Sequence, residues 1–217
     1  MKLAAFVIPF SLALLVPTVA CQGAYYKTME KFGKQKREIL VDRVEAARDE
    51  QSEAKKEFKD ALTRFRELTG FKGGELEDKY EALKDEYEDC ESRAEAVSSR
   101  IAAIEDVSQA MFDEWQAELG EYTNKDMRRS SEQQLRETKQ RYGQLIGAMK
   151  KVEKAMQPVL GTFKDQVLYL KHNLNAQAIS SLQGQAASIE SDVARLIQDM
   201  ENSINEANAF IDQLPKS

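Results

Sequence analysis

The sequence predicts an all-α protein, an elongated antiparallel helical bundle or coiled coil of three to four long helices. Charged residues make up 31% of the 217 positions, and proline is scarce, which is the composition of long helices. Apolar residues recur at alternating steps of four and three, the spacing of a seam that faces a partner helix. No stretch alternates polar and apolar residues for long enough to indicate a strand.

The first twenty residues have the parts of an export signal. Lys2 provides a positive start, residues 3–16 form an apolar run, and a short segment then leads to Cys21. A membrane-spanning helix needs about 20 residues, and this run is shorter. We therefore predict a lipoprotein-type signal peptide over residues 1–20 and a single elongated helical-bundle domain over residues 21–217.

Cys21 is the predicted lipidation site. Small or β-branched residues precede it, and the segment resembles the lipobox of bacterial lipoproteins, in which a diacylated cysteine becomes the new N-terminus. Such acylation anchors a protein stably. Thr18 stands where that motif prefers leucine, so simple secretion and an uncleaved anchor stay open as alternatives. Because Gln22 rather than aspartate follows, the sorting rule that this motif implies favours the outer membrane, facing the periplasm.

The first helix is predicted from about residue 26 to residue 69, and the second over about 75–122. Between them, Gly70, Gly73 and Gly74 permit a reversal of the chain. The first seam contains Leu40, Val44, Ala47, Gln51, Ala54, Phe58, Ala61, Phe65 and Leu68. The second contains Leu76, Tyr80, Leu83, Tyr87, Cys90, Ala94, Val97, Ile101, Ile104, Ser108, Met111 and Trp115. Gln51 is the polar member of its seam. Such a residue indicates either a position that fixes the alignment of the helices or a layer of the core that contains water.

The third helix is predicted over about 126–173 and the fourth over about 180–214. Ser130 and Gln133 have the spacing of a capping box near the start of the third. Pro158 predicts a kink, because it lacks an N–H, and a slip in the heptad accompanies it. The fourth seam contains Leu182, Ala186, Ile189, Val193, Leu196, Met200, Ile204, Ala207 and Ile211.

Catalytic chemistry is hard to assemble from these residues, so we predict that the protein is not an enzyme. His172 is the only histidine, which excludes a di-iron bundle with two Glu-x-x-His motifs, and we expect it to be a surface or capping residue. The glycines at positions 70–74 lack the Lys-Ser/Thr of a phosphate loop. We expect no cofactor and no metal.

Cys90 is the second of two cysteines. If Cys21 carries lipid, Cys90 has no partner for an internal disulfide, and a buried thiol is the expected state in an oxidising compartment. The apolar series on both sides of Cys90 supports burial over a reactive thiol.

The charge pattern of the sequence indicates which kinds of partner the protein can bind. A net charge of −6 makes a nucleic-acid partner a poor fit, and none is predicted. A basic stretch opens the third helix, with acidic residues interspersed, and is interpreted as a solvated face rather than a lipid or cell-wall patch; its members are Lys125, Arg128, Arg129, Arg136, Lys139 and Arg141. Gly143 and Gly147 form a small-xxx-small step that predicts a close helix crossing.

Two further segments accompany the cysteine that follows the signal, residues 25–33 (YYKTMEKFG) and residues 168–176 (LYLKHNLNA). With them, the chain resembles an uncharacterised family of predicted lipoproteins of Gram-negative bacteria, domain of unknown function 2959. The resemblance covers the whole chain after the signal. It implies no catalytic or binding residue.

We expect a non-enzymatic cell-envelope lipoprotein that acts as a periplasmic structural, spacer or adaptor protein through helix-mediated contacts. Its expected partners are the membrane, through lipidated Cys21, and a protein or a second copy, through helix faces. One alternative is a curvature-associated, membrane-binding bundle, against which the acidic charge argues. The other is a bundle that binds an apolar ligand near Phe112, Trp115 and Tyr122.

Overall fold

The computed structural model describes residues 26, 29, 34–70 and 76–214. The chain divides into two compact units, Met1–Gln35 and Lys36–Ser217, and each is described by itself. The predicted signal peptide and Cys21 lie outside the described residues.

In the first unit, Tyr26 and Met29 are helical, whereas Lys34 and Gln35 are not. The Lys34 N–H donates to the Met29 carbonyl oxygen at 3.0 Å. A bond to the carbonyl five residues earlier is a common way for a helix to end. The prediction of one continuous helix over residues 26–69 is therefore wrong, because the chain leaves the helical path before Lys36.

The described part of the second unit contains five helices and no strand. They are α1 Lys36–Thr69, α2 Leu76–Glu118, α3 Lys125–His172, α4 Ala176–Gln183 and α5 Ala186–Gln213. Three are long, with 34, 43 and 48 residues, and α5 has 28. The predicted all-α class with three to four long helices is confirmed.

Consecutive long helices are antiparallel. Lys36 at the start of α1 pairs with Glu114 near the end of α2 at 2.8 Å, and Glu67 at the end of α1 pairs with Lys79 near the start of α2 at 3.0 Å. The α2 and α3 helices are joined by the Lys150 and Glu105 ion pair. These contacts give an up-and-down order.

The α5 helix closes the bundle by packing between α1 and α3. Arg66 of α1 pairs with Glu190 at 2.6 Å, and Lys151 of α3 pairs with Asp199 at 2.6 Å. The second unit is thus a four-helix bundle in which α1 and α5 meet although they lie at opposite ends of its sequence.

The core follows the predicted seams closely. Every predicted member of the first seam is buried, and so are the members of the second except Leu76 and Trp115, which are half-buried. In α5 three predicted members of the seam are not buried, namely Ala186, Ile204 and Ile211. Ser203 and Phe210 are buried, whereas Ile204 and Ile211 are half-exposed, because the steps of four and three from Ile189 continue without interruption.

Helix boundaries differ from the prediction in two places. The α2 helix ends at Glu118 rather than at residue 122, and Leu119 to Glu121 form a turn. The predicted fourth helix is two helices, because Gly184 and Gln185 interrupt it. The α3 helix matches its predicted bounds within one residue and continues through Pro158.

The cap of α3 is also not the predicted one. The Asn124 side-chain oxygen accepts from the N–H groups of Asp126 and Met127 at 2.9 and 3.2 Å, so Asn124 is the N-cap. Ser130 lies inside the helix, so its capping-box spacing with Gln133 is coincidental.

Among the described residues, no helix has a stretch of sufficient length and hydropathy to cross a bilayer.

Candidate functional site

Cys90 is fully buried in the α2 seam, as the sequence predicted. Burial raises the pKa of its thiol well above the ordinary value, and the carboxylates of Glu57 and Glu86 raise it further. Since the thiolate is the reactive form of cysteine, this residue is poorly suited to nucleophilic chemistry.

His172 is exposed and ends α3. It lies in the last turn with Lys171, where cationic side chains complement the negative end of the helix dipole. The structure therefore places the two predicted chemistry-bearing side chains in different environments, Cys90 within the core and His172 at a helix end.

Three carboxylates meet on the surface of the α1 and α2 pair. One oxygen from each of Glu57, Asp60 and Glu86 lies within 4.8 Å of the others. Partial burial raises the pKa of Glu86, and Asp60 and Glu57 add to the rise, whereas a hydrogen bond from Arg64 opposes it. The Arg64 Nε atom lies 3.4 Å from Glu86, so a guanidinium already supplies positive charge to this cluster.

Gln51 and Ser203 are the buried polar side chains that stand out. Both are fully buried, and the Gln51 amide atoms and the Ser203 hydroxyl have no hydrogen-bond partner among the described residues. They lie on α1 and α5, the two helices that close the bundle. This arrangement fits the register device that the sequence indicated at Gln51, since a polar group in a seam disfavours other alignments.

The aromatic residues proposed for an apolar ligand have different surroundings. The Phe112 ring packs edge-on against Tyr142, with centroids 5.4 Å apart, and the Trp115 indole N–H donates to the Ser131 hydroxyl at 2.8 Å. Tyr122 instead lines an open depression with two carboxylate side chains, Glu118 and Glu121. The Phe112 ring thus contacts Tyr142, and the Lys139 ammonium lies 5.5 Å from the ring centroid.

Gly143 and Gly147 are exposed, and an added Cβ atom at either would meet nothing within 4 Å. The prediction of a close helix crossing at this step is therefore wrong. The apolar seam of α3 faces its neighbours, and these two glycines lie on the other side of the helix.

Among the described residues, α2 and α3 border a groove of 470 Å³. Its described lining comprises Tyr87, Glu91, Ala94, Glu95 and Ser98 from α2, with Gln157, Leu160, Gly161 and Lys164 from α3. The groove begins beside Pro158, and at Gly161 a Cβ atom would again meet nothing within 4 Å. We call it the α2–α3 groove.

The α2–α3 groove has an apolar floor and charged walls. Tyr87, Ala94 and Leu160 are buried beneath it, and the Tyr87 hydroxyl donates to Glu91 at 2.9 Å. Burial and this hydrogen bond raise the pKa of Tyr87 to about 12. The carboxylates of Glu91 and Glu95 form no ion pair with any described residue. The groove therefore combines apolar contact with the carboxylates of Glu91 and Glu95 on its α2 wall and the Lys164 ammonium on its α3 wall.

An exposed apolar pair continues the same side of α3. Leu168 is 52% exposed and Tyr169 is 42% exposed, whereas most large apolar side chains of the described chain are buried. Leu168 follows Lys164 by four residues and Gly161 by seven, which places it on the helical face that lines the groove. The sequence did not predict the α2–α3 groove, because the groove depends on the distance between two helices.

Comparison with known proteins identifies the family. The chain belongs to the family described as "Protein of unknown function (DUF2959)", whose match spans residues 25–214. The chain matches no curated protein and no solved structure.

Proposed function

We propose that this member of the family is a non-enzymatic lipoprotein of the cell envelope, anchored through Cys21 in the outer membrane and acting in the periplasm as a spacer or adaptor. The observation that carries the proposal is the position of the α2–α3 groove. It lies in the half of the bundle remote from Lys36, where the helix that follows the anchor segment begins. Between the start of α3 and Leu168 the helix advances about 65 Å.

The helices of the bundle are linked to one another along their length, which suits a spacer. Ion pairs join its helices at several levels, among them Lys36 with Glu114, Lys55 with Glu201 and Arg66 with Glu190. Each exposed pair contributes little to stability, and the continuous apolar seams supply most of it.

The partner that fits the α2–α3 groove is an amphipathic helix with cationic side chains on one flank. Its apolar residues would cover Ala94 and Leu160, and its cations would meet Glu91 and Glu95. Carboxylates far outnumber cations along α2, so the negative wall is part of a wider acidic surface. Helix-in-groove contacts of this kind are a recurring mode of recognition.

Two glycines on α3 allow a matched test of the groove. A photocrosslinking amino acid at Ser98 should trap the partner in cells, and Gly161→Phe should abolish the product by filling the groove. Gly143→Phe makes the same change on an open face of the same helix and should leave the product intact. Equal crosslinking in both phenylalanine variants would refute the groove as the contact surface.

Charge reversal tests the chemistry of the partner. Glu91→Lys combined with Glu95→Lys should reduce crosslinking from Ser98 several-fold, because cations would then face cations. An unchanged yield would exclude a basic helix and leave an uncharged partner or a second copy of the chain. Crosslinked dimers of the chain itself would identify that second copy directly.

The anchor is tested separately. Wild-type protein and Cys21→Ser should be expressed in a Gram-negative host with radiolabelled palmitate, followed by membrane fractionation and intact mass. Label and membrane retention in the wild type, both lost in the variant, are expected. An unmodified chain that keeps its first twenty residues would overturn the proposed compartment and function.

A further inference from the structure

The end of the second unit that contains Lys36 also contains the connection between α2 and α3. The Lys36 ammonium lies 2.8 Å from the Glu114 carboxylate, and α2 ends four residues after Glu114. We call residues 119–130 the α2–α3 tip. Every residue of the tip from Gly120 to Ser130 is exposed.

Two large apolar side chains project from the tip. Met127 is 58% exposed and Tyr122 is 39% exposed. Exposed residues of this size are rare in the described chain, and the others, Leu168 and Tyr169, belong to the remote half. The bundle thus has one apolar pair near each end of α3, about 60 Å apart along the helix.

The charges of the tip differ from those of the whole chain. Cations slightly outnumber carboxylates within residues 119–130, although the chain has a net charge of −6. Arg128 pairs with Glu132 and Arg129 with Asp126, whereas Lys125 forms no ion pair with a described residue. Tyrosine and cationic side chains together are typical of a membrane–water interface. The sequence alone had indicated a solvated face for Lys125, Arg128 and Arg129.

The chain length between the anchor and the bundle limits how far the Lys36 end can lie from the membrane. Fourteen residues lie between Cys21 and Lys36, and a fully extended chain between these two positions reaches about 50 Å. A lipid at Cys21 therefore keeps the Lys36 end within this distance of the bilayer.

We propose that the α2–α3 tip is a membrane-contacting surface, in which Tyr122 and Met127 enter the headgroup region of a phospholipid bilayer. The inference rests on the proposed lipid anchor and adds a second contact to it. Two contacts at one end orient the bundle away from the membrane, which directs the α2–α3 groove toward the periplasm. With the anchor alone, the bundle could tumble or lie along the surface.

Single-tryptophan variants test this orientation. In a Trp115→Phe background, tryptophan is placed in the tip by Met127→Trp, on the open face of α3 by Gln144→Trp, and in the remote half by Tyr169→Trp. The chain starting at Cys21 is coupled through that thiol to a maleimide phospholipid in vesicles of phosphatidylethanolamine and phosphatidylglycerol with brominated acyl chains. The buried Cys90 should not react. Circular dichroism verifies the fold of each variant.

Bromine should quench the tryptophan at position 127 several-fold more than those at positions 144 and 169, and Tyr122→Ser should weaken that quenching. Equal quenching at all three positions would show that the bundle lies flat on the membrane. No quenching at position 127 would show that the tip does not contact lipid. Either result would overturn the inference. Because the anchor here is chemical, this outcome is independent of palmitate labelling, which alone decides whether the natural chain is acylated.

Discussion

The indole N–H of Trp115 donates to the hydroxyl of Ser131 at 2.8 Å, which joins the end of α2 to the start of α3. Trp115 is the only tryptophan of the chain, so its fluorescence reports on this contact.

Ser131→Ala should lower the free energy of unfolding by about 1 kcal/mol, because the half-buried indole loses its acceptor. The emission maximum should shift at the same time. Urea titration followed by fluorescence measures both. Ser130→Ala is the control, since Ser130 is exposed and adjacent, and it should leave the emission unchanged. A fluorescence shift of equal size in the control would contradict the assignment.

Replacing Gln51 should stabilise the bundle. Its amide is fully buried without a hydrogen-bond partner among the described residues, and such a group costs about 1 to 3 kcal/mol. Gln51→Leu should raise the free energy of unfolding by a similar amount in chemical denaturation. Gln140→Leu, on the exposed side of α3, should change it by less than about 0.5 kcal/mol. Destabilisation by Gln51→Leu would show that the amide is satisfied, for example by an internal water.

The same substitution tests the role of Gln51 in register. If the polar layer selects one alignment of α1 and α5, the Gln51→Leu protein should unfold less cooperatively or form additional oligomers. Sedimentation velocity of both proteins measures this. If the variant is more stable, unfolds cooperatively and sediments as one species, Gln51 has no role in register and its buried amide only lowers stability.

Stability should fall in alkaline solution. Burial raises the pKa of Tyr87 from 10.0 to about 12 and raises that of the Cys90 thiol above its ordinary 9.0. Because both pKa values are higher in the folded state, their stabilising effect is complete below about pH 9 and is lost as the pH rises through the folded values. Urea midpoints should therefore decrease from about pH 9 upward. Tyr87→Phe should reduce the loss, whereas Tyr169→Phe, at an exposed tyrosine, should not.

Replacing glycines on the outer side of α3 by alanine should raise the stability of the protein. Gly143→Ala and Gly147→Ala should each raise the free energy of unfolding by about 0.5 to 1 kcal/mol, since alanine loses less conformational entropy in a helix and the space is open. Thermal unfolding measures the change. At Gly70 a Cβ would lie 3.2 Å from the Arg66 carbonyl oxygen, so Gly70→Ala should give a smaller gain or none. A loss of stability at both outer positions would contradict their exposure.

Seams were predictable from the sequence because heptad spacing fixes which residues face a neighbouring helix. Cys90 illustrates this, since its place in an apolar series was sufficient to predict burial. The errors in α5 arose where apolar character was preferred over spacing. Ile204 is more apolar than Ser203, yet the unbroken steps of four and three place the serine inside.

Helix ends were less predictable because weak local signals compete there. Glycine at position 184 marks the interruption between α4 and α5, and Gly120 lies in the turn after α2, but single glycines also occur inside α3 at positions 143, 147 and 161. A glycine alone therefore cannot decide whether a helix stops. The capping-box spacing at Ser130 and Gln133 was misleading, since the N-cap of α3 is Asn124.

The α2–α3 groove could not be predicted, since it depends on how far apart two helices lie beside Pro158. Pro158 and the heptad slip indicated an irregularity in α3. They did not indicate that a groove would form between α3 and α2. The exposed pair Leu168 and Tyr169 was equally hidden, because one extra step in the seam changes which apolar side chains face outward.

Closure of the bundle by α5 against α1 has a consequence for the order in which the chain can fold. The Arg66 and Glu190 contact spans 124 residues of sequence, and that of Arg48 with Asn208 spans 160. Neighbouring helices can pair as hairpins early, whereas these distant contacts form late because a long loop must close first. A chain that is delivered from its N-terminus can therefore not bury the α1 seam fully until its last helix has arrived. During that interval the apolar strip of α1 that α5 covers in the finished bundle is exposed to solvent.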